Sequence, residues 1–309
     1  MQNSLPRTIT IHEVVLRDGI QNEQSLVSTG EKVKLIEDLI ECGIRRIELS
    51  SFVNPRLVPQ MADAEKLWSM IARKKGVVYA ALILSEKGLD RAIRCGVPHV
   101  GIYVSASETH SRKNSNMSIA EAMKEARRLI AKAREAGMEV RAGVMNAFGC
   151  AYEVSVPLGR VLRLVKDIMK REPDEICLAD TSGMANPVQI KKLVKRVQDI
   201  AGAVPISLHL HNTRGLGLAN VWAAVTEGIA IFDTSLGGLG GCPFIPGARG
   251  NIATEDTVNM LHESGIKTGI DLDKLIRASL RFEQYMGQKF PAVVSHLSPS
   301  PFPPSPLFL

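Results

Sequence analysis

Two histidines two positions apart, His209 and His211 in the segment HLH, have the spacing in this sequence that points most directly to chemistry. On a β-strand, side chains two positions apart point to the same face, so both imidazoles can reach one point. Asp18 follows another apolar segment and can bring a carboxylate to the same place. Two imidazoles and a carboxylate can hold a catalytic divalent ion and leave positions open for substrate. The alternative is that both histidines only satisfy hydrogen bonds inside the fold.

Two further side chains extend this candidate site. Asn251 offers an amide oxygen, a hard ligand that favours Mg²⁺ or Mn²⁺. Arg17 stands next to Asp18 in the sequence. Its guanidinium can form an ion pair with an acid such as Glu48, or it can stabilise an oxyanion that develops beside the metal. The two roles are compatible.

A cysteine in a glycine-rich segment adds a candidate proton donor. Cys242 lies in GGLGGCPFIPGARGN, residues 237–251, which contains six glycines. Such a segment is easily bent and can form a lid over a site. A thiol on an accessible lid can donate a proton. The glycines alone are also typical of a plain flexible connection.

The elements that must position these residues alternate regularly along the chain. Eight short apolar segments, beginning with TITIHEVV, are separated by amphipathic stretches of helical length, several of which end in glycine. This alternation predicts an α/β fold with parallel strands, and eight units in about 265 residues predict a (β/α)₈ TIM barrel. No GxGxxG motif follows the first strand, which argues against an open dinucleotide-binding sheet. In such a barrel, the carboxyl ends of the strands carry the chemistry.

The same pattern divides the chain into three regions. We expect a catalytic barrel over residues 1–265 and a short C-terminal helical extension over 266–290. Residues 291–309 are rich in proline, which suits neither helix nor central strand, so we expect a poorly ordered tail.

Composition narrows the class of protein. The 309 residues are 45% hydrophobic and 23% charged, with a net charge of +6 that is scattered along helical stretches. The absence of a basic stripe argues against a nucleic-acid partner, and a mild positive charge favours an anionic small substrate. Five widely spaced cysteines without a CxxC pair argue against a disulfide framework or structural zinc. We expect a cytoplasmic protein without a membrane partner, because no signal peptide or spanning run is evident.

Five motifs together resemble those of 3-hydroxy-3-methylglutaryl-CoA lyases, a family of metal-dependent TIM barrels. They are RDGIQNE, SSFVNPRLVPQMAD, SASETHSRKN, HLHNTRGLGLAN and GGLGGCPFIPGARGNIATEDTV. The resemblance implies retro-Claisen cleavage of an acyl-CoA, 3-hydroxy-3-methylglutaryl-CoA, to acetyl-CoA and acetoacetate. It also implies a divalent cation, Mg²⁺ or Mn²⁺, as cofactor and a homodimer as the assembly.

The resemblance also implies roles for individual residues. The implied metal ligands are Asp18, His209, His211 and Asn251. The implied catalytic residues are Arg17 for the enolate, Cys242 for proton transfer, and Glu48 and Glu255 as acids of the site, together with Asp18 and His209. After the fourth strand, three polar residues are expected to contact the phosphates of CoA, although a solvated loop would have the same composition: Arg112, Lys113 and Asn114.

Departures from the family pattern leave alternatives open. Leu16, Leu57 and Ala151 stand where the family commonly has proline, an aromatic residue and proline, near the predicted barrel mouth. They leave open a lyase for a related thioester such as citramalyl-CoA. A condensing acyltransferase is less favoured, because those enzymes carry long C-terminal regions. A binding protein that has lost catalysis is also less favoured, because the candidate ligands and Cys242 are all present.

Overall fold

Eight parallel strands close into a barrel in which each strand pairs with the next and the first pairs with the last. The computed structural model describes residues 5–241 and 250–297. The strands are β1 (Thr10–Glu13), β2 (Arg46–Ser51), β3 (Val78–Ile83), β4 (His99–Ser105), β5 (Glu139–Met145), β6 (Glu175–Ala179), β7 (Ile206–His209) and β8 (Ile231–Thr234). The predicted (β/α)₈ barrel is confirmed.

Amphipathic helices surround the barrel and cover its outer face. Within the described ranges they are α1 (Thr29–Glu41), α2 (Ala64–Met70), α3 (Glu86–Arg94), α4 (Glu108–Ser115), α5 (Ile119–Glu135), α6 (Leu158–Met169), α7 (Pro187–Ala201), α8 (Gly217–Val225), α9 (Thr254–Glu263) and α10 (Leu272–Met286). Side-chain caps begin several of them, including capping boxes at Ser118 and Asn186. Among the described residues, no helix has both the length and the hydrophobicity needed to cross a bilayer.

The first strand ends earlier than the sequence predicts. β1 stops at Glu13, and Val15–Gly19 form a π-helical turn. The Glu13 carboxylate accepts a hydrogen bond from the Val15 amide at 2.9 Å, so that amide is not available to pair with a neighbouring strand. The Asp18 amide then donates to the Val14 carbonyl at 2.8 Å. The turn therefore places Arg17 and Asp18 above the end of β1.

The C-terminal extension packs against the start of the barrel. Arg281 of α10 pairs with Glu31 of α1, and its Nε lies 2.7 Å from Asp38 Oδ2. Residues 291–297, the first part of the predicted tail, contact the barrel. Their amides are held, because Ala292 N donates to Gly237 O at 3.0 Å and residues 293 and 294 donate to the carboxylate of Asp256. Residues 298–309 lie outside the described residues.

Charged side chains occupy much of the barrel interior. Arg141 of β5 is 2% exposed, and its guanidinium lies 2.7 Å from a carboxylate oxygen of Asp233 on β8 and 2.7 Å from one of Glu175 on β6. Arg46 of β2 also contacts Glu175, at 2.8 Å. Paired charges of this kind can be buried because each cation has a carboxylate partner. This polar core lies next to the strand ends that hold the candidate site.

Candidate metal centre and active site

Three side chains predicted as metal ligands converge at the carboxyl ends of the strands. Asp18 follows β1, His209 is the last residue of β7, and His211 lies two positions beyond it; their ligand atoms all lie within 4.8 Å of one another. The two histidine Nε2 atoms are 3.0 Å apart. Asp18 Oδ2 lies 3.7 Å from His209 Nε2 and 3.8 Å from His211 Nε2. Adjacent ligands of an octahedral ion with bonds of about 2.1 Å are roughly 3.0 Å apart, so the cluster has the dimensions of a metal site.

Asn251 adjoins this cluster. Its Nδ2 donates to Asp18 Oδ2 at 2.7 Å, and its backbone forms a β-bridge with His211. Its Oδ1 is buried and has no hydrogen-bond partner among the residues that the structure describes. A buried amide oxygen without a partner is costly, and a hard cation would satisfy it. The donor set therefore fits a divalent ion, with Asn251 as a predicted fourth ligand.

Protonation in the cluster also suits a cation. Burial opposes ionisation of Asp18, but Arg17 and the two histidines outweigh it and lower the pKa of Asp18 to about 2. Burial, together with the neighbouring His209, lowers the pKa of His211 to about 3. A metal needs an ionised carboxylate and neutral imidazoles as ligands. Near pH 7 these two residues are in those forms.

Asp233 holds one of these histidines in place. Its Oδ2 lies 3.1 Å from His209 Nδ1, and the side chain of Asp233 is 1% exposed. A carboxylate at Nδ1 favours the tautomer that leaves the Nε2 lone pair free for a metal. Arg141 fixes the same carboxylate from the other side at 2.7 Å. Asp233 thus connects the polar barrel core to the candidate metal centre.

Arg17 is fixed between two carboxylates. Its Nε donates to Glu48 and its Nη1 donates to Asp18, so the ion pair expected with Glu48 is present. Burial alone would lower the pKa of Arg17, but these two carboxylates raise it above its ordinary value. The guanidinium therefore stays charged beside the metal cluster. A fixed positive charge there can stabilise negative charge that develops on a substrate oxygen.

Two buried acids hold the base of the glycine-rich segment. The Glu13 carboxylate accepts from the Leu236 amide at 2.9 Å, and the Glu255 carboxylate accepts from the Gly237 amide at 3.0 Å. Burial raises the pKa of Glu255 to about 7. Within the described residues, Glu255 thus anchors the segment rather than joining the metal cluster. Cys242 lies outside the described residues, and its proposed proton transfer stays a prediction.

Gly240 shows how closely this segment approaches the candidate metal centre. A Cβ at Gly240 would lie 2.5 Å from Asn251 Nδ2 and 2.8 Å from the carbonyl oxygen of Asp18, and its φ is +100°. Only glycine combines that conformation with that proximity. Asn22 adds a hydrogen bond to the Gly241 carbonyl at 2.9 Å. The backbone before Cys242 therefore lies against the cluster.

The three residues expected to contact CoA lie on α4, apart from the metal cluster. Arg112, Lys113 and Asn114 are exposed there. Arg112 pairs with Glu108 at 2.9 Å, and the Lys113 ammonium lies 4.6 Å from the centre of the Tyr152 ring. Both cations sit on the surface after β4, where an anionic substrate can reach them. Their role stays a prediction.

The sequence analysis did not identify Asp233 or Arg141 as parts of the site. The available signal was a charge inside an otherwise apolar strand, as in IFDT and in EVRAGVM. That signal shows that a charge is buried but gives no partner. The pair is separated by 92 positions and meets only because the barrel closes.

The fold and the cluster define a (β/α)₈ protein with a candidate metal centre at the end of the barrel where such enzymes carry their chemistry. A family model described as HMGL-like matches residues 8–280, and the chain belongs to this family. The resemblance inferred from the motifs is therefore confirmed.

The chain is also similar to individual members of this family. The chain is 42% identical over 287 residues to hydroxymethylglutaryl-CoA lyase YngG of Bacillus subtilis (strain 168), covering 93% of this chain and 96% of the relative. It is 38% identical to (R)-citramalyl-CoA lyase of Chloroflexus aurantiacus, covering 94% and 95%. An HMG-CoA lyase structure from Acinetobacter baumannii, in complex with coenzyme A and 3-methylmalate, superposes with a TM-score of 0.90 at 40% identity, covering 96% and 98%.

Proposed function

We propose that this protein is a metal-dependent carbon–carbon lyase that cleaves 3-hydroxy-3-methylglutaryl-CoA into acetyl-CoA and acetoacetate. The observation that carries the proposal is the Asp18, His209 and His211 cluster beside the Arg17–Glu48 pair at the carboxyl ends of the strands. Family membership and 42% identity to a hydroxymethylglutaryl-CoA lyase support the same activity.

The candidate ligands are Asp18, His209, His211 and Asn251, and the cofactor is Mg²⁺ or Mn²⁺. When bound, a divalent cation would act as a Lewis acid that eases ionisation of the substrate hydroxyl, whose pKa is otherwise far above neutral. Asp233 keeps the His209 ring oriented toward the same point as His211. Asp18 stays ionised at neutral pH and contributes the negative charge that the cation requires.

The proposed cleavage breaks one carbon–carbon bond. The 3-hydroxyl passes its proton to a base of the site, for which the resemblance offers Asp18 or His209. Its oxygen becomes the ketone of acetoacetate, and the bond between C2 and C3 breaks. The electron pair of that bond moves into the thioester enolate of the departing acetyl group. Arg17, held by Glu48, faces the enolate oxygen and stabilises its charge. A proton then joins C2 and completes the methyl group of acetyl-CoA.

We assign that last proton to the thiol of Cys242 as part of the proposal. The backbone on each side of Cys242 supports the assignment, because Gly240 and Asn251 lie against the cluster of candidate ligands. Glu13 and Glu255 hold the amides of Leu236 and Gly237 at the start of the same segment.

A second candidate is a lyase that cleaves citramalyl-CoA to acetyl-CoA and pyruvate. The 38% identity to an (R)-citramalyl-CoA lyase over 94% of this chain specifically favours it. The departures near the mouth, at Leu16, Leu57 and Ala151, bear on acyl-group preference rather than on the candidate ligands. Both candidates use the same bond cleavage.

The deciding experiment measures acetyl-CoA release from both thioesters by the purified protein in Mg²⁺ or Mn²⁺. We expect faster release from 3-hydroxy-3-methylglutaryl-CoA and none in EDTA. Arg17→Met should lower kcat by about 10²–10³, the usual cost of losing one oxyanion donor. Preference for citramalyl-CoA would identify the second thioester as the substrate and leave the proposed mechanism unchanged. No release from either thioester by metal-loaded protein would refute the proposed activity.

Partners and location complete the proposal. The substrate is an acyl-CoA, and Arg112, Lys113 and Asn114 on α4 are proposed contacts for its phosphates. We also propose a homodimer in the cytoplasm, with residues 1–265 as the catalytic barrel and 266–290 as its helical extension. Size-exclusion chromatography with light scattering tests the assembly directly.

A further inference from the structure

A tyrosine on β4 occupies space that two glycines leave open inside the barrel. Tyr103 stands opposite Gly143 of β5 in the strand register. A Cβ built on Gly143 would lie 2.1 Å from Tyr103 Cε1 and 2.2 Å from Cδ1, and one built on Gly101 would lie 2.9 Å from Cε2. The ring therefore occupies space that a side chain at Gly143 or Gly101 would otherwise fill.

The ring also borders the candidate active site. The Cβ position at Gly101 that touches the ring is 3.6 Å from Glu48 Oε1, and Glu48 holds Arg17. The Tyr103 phenol lies near the thiol of Cys177 on β6. The ring thus extends from β4 toward β6, beside the Arg17–Glu48 pair.

Part of this ring is open. Tyr103 is half-buried, whereas Glu48 and Cys177 beside it are at most 1% exposed. Tyr103 is therefore a partly exposed aromatic side chain among buried neighbours, close to the Glu48 carboxylate that holds Arg17. The Tyr103 ring lies near the charged Arg17–Glu48 pair, but the ring itself is mainly carbon.

We propose that Tyr103 forms the floor of the acyl pocket and sets the size of the alkyl group accepted at C3 of the substrate. This inference rests on the proposed lyase function. C3 of 3-hydroxy-3-methylglutaryl-CoA carries a hydroxyl, an arm ending in a carboxylate, an arm ending in the thioester, and a methyl group. The metal cluster and Arg17 suit the three polar groups. The methyl group is the substituent that an aromatic floor suits.

A floor of this kind predicts discrimination by size. One methylene more or less in an apolar pocket changes kcat/KM by roughly 10–200-fold. The wild type should therefore prefer 3-hydroxy-3-methylglutaryl-CoA to the synthetic 3-hydroxy-3-propylglutaryl-CoA by at least about tenfold. Tyr103→Ala opens the floor and should shift that preference toward the propyl thioester by at least about tenfold.

Further variants test whether the Tyr103 ring itself, and not its neighbours, sets the substrate preference. Gly143→Ala introduces the Cβ that meets the ring, so it should push the ring into the pocket and raise the preference for methyl. Combining Gly143→Ala with Tyr103→Ala should remove that effect, because the ring is gone. Tyr103→Phe retains the ring and should retain the wild-type ratio of the two kcat/KM values. Thermal unfolding of each variant shows whether it is folded.

The outcomes distinguish this inference from the proposed function. The inference is overturned if Tyr103→Ala leaves the substrate ratio unchanged, or if Gly143→Ala acts equally with and without the ring. If the wild type cleaves neither thioester, the proposed function fails, and dissociation constants of both thioesters in the Arg17→Met background with Mn²⁺ decide the inference. A tenfold shift in their ratio on adding Tyr103→Ala supports the floor, and an unchanged ratio overturns it.

Discussion

Asp233→Asn tests whether the polar barrel core supports the metal centre. In the structure, His209 Nδ1 lies 3.1 Å from Asp233 Oδ2. The substitution keeps the size of the side chain and an oxygen that can still accept a hydrogen bond from His209 Nδ1. It removes the negative charge that favours the correct tautomer of His209. Loss of a carboxylate behind a metal-ligating histidine costs about 10–100-fold in metal affinity. Because the asparagine keeps one acceptor oxygen, we expect a loss of metal affinity at the lower end of this range, about tenfold or 1.4 kcal/mol.

The same substitution also disturbs a buried charge cluster, which must be separated from the effect on the metal. Glu175→Gln is a matched control, because it too removes one carboxylate from Arg141, at 2.7 Å, but does not contact His209. Each variant leaves Arg141 with one of its two carboxylates, and Glu175→Gln also removes the carboxylate that Arg46 contacts at 2.8 Å. Breaking one side of a buried pair destabilises by roughly 3–5 kcal/mol, so both variants should unfold at lower urea concentration.

The assay is Mn²⁺ titration by calorimetry at a temperature where all three proteins are folded. Asp233→Asn should bind about tenfold more weakly, and Glu175→Gln should bind like the wild type. Equal weakening in the two variants would mean that loss of stability, and not orientation of His209, sets the affinity. Unchanged affinity in Asp233→Asn would refute the role of Asp233 outright.

Three further predictions follow from the same geometry. His211→Ala removes a candidate ligand, so elemental analysis after dialysis should find metal well below the wild-type ratio; equal retention would exclude the cluster as the site. Burial raises the pKa of Glu13 to about 8, against an unfolded value near 4.5, so the unfolded state holds fewer protons between those values. The free energy of unfolding should therefore fall between pH 5 and pH 8, by at most about 1.4 kcal/mol per pH unit from this group, and Glu13→Gln should flatten the decline in urea titrations. Substituting Arg112 and Lys113 together by Gln should raise KM for the thioester a few-fold and leave kcat unchanged; an unaltered KM at low salt would remove them from the CoA contact.

Sequence periodicity was sufficient for the architecture because a parallel barrel repeats one local pattern eight times. The two histidines were predictable for a similar reason, since side chains two positions apart on a strand share a face whatever surrounds them. Asp18 could be assigned to the same end of the barrel without knowing its contacts. These are the features that depend on local geometry and on the closure of the barrel alone.

Other features depend on contacts that no local pattern encodes. The end of β1 is set by the Glu13 side chain, which accepts a hydrogen bond from the Val15 amide, so the predicted strand extends two residues past the observed end. Helix α4 has little apolar character, and Ser107 caps it by accepting from the His110 amide at 3.1 Å. The short ordered stretch after Phe290 depends on the amide acceptors offered by Gly237 and Asp256. In each case a polar group decides the local structure.

The charged interior of the barrel has a further meaning. Buried ion pairs contribute little net stability compared with apolar packing of similar volume, so stability alone does not explain the Arg141 cluster. Asp233 of that cluster reaches His209, while Glu48 reaches Arg17. Each carboxylate fixes a side chain that would otherwise sample several rotamers at the mouth. The polar core is therefore better explained as the support that orients the candidate metal ligand and the candidate oxyanion donor. It follows that substitutions of Asp233 and Glu48, the two carboxylates that reach these side chains, should change metal affinity and kcat as well as stability, whereas Glu175→Gln should change stability alone.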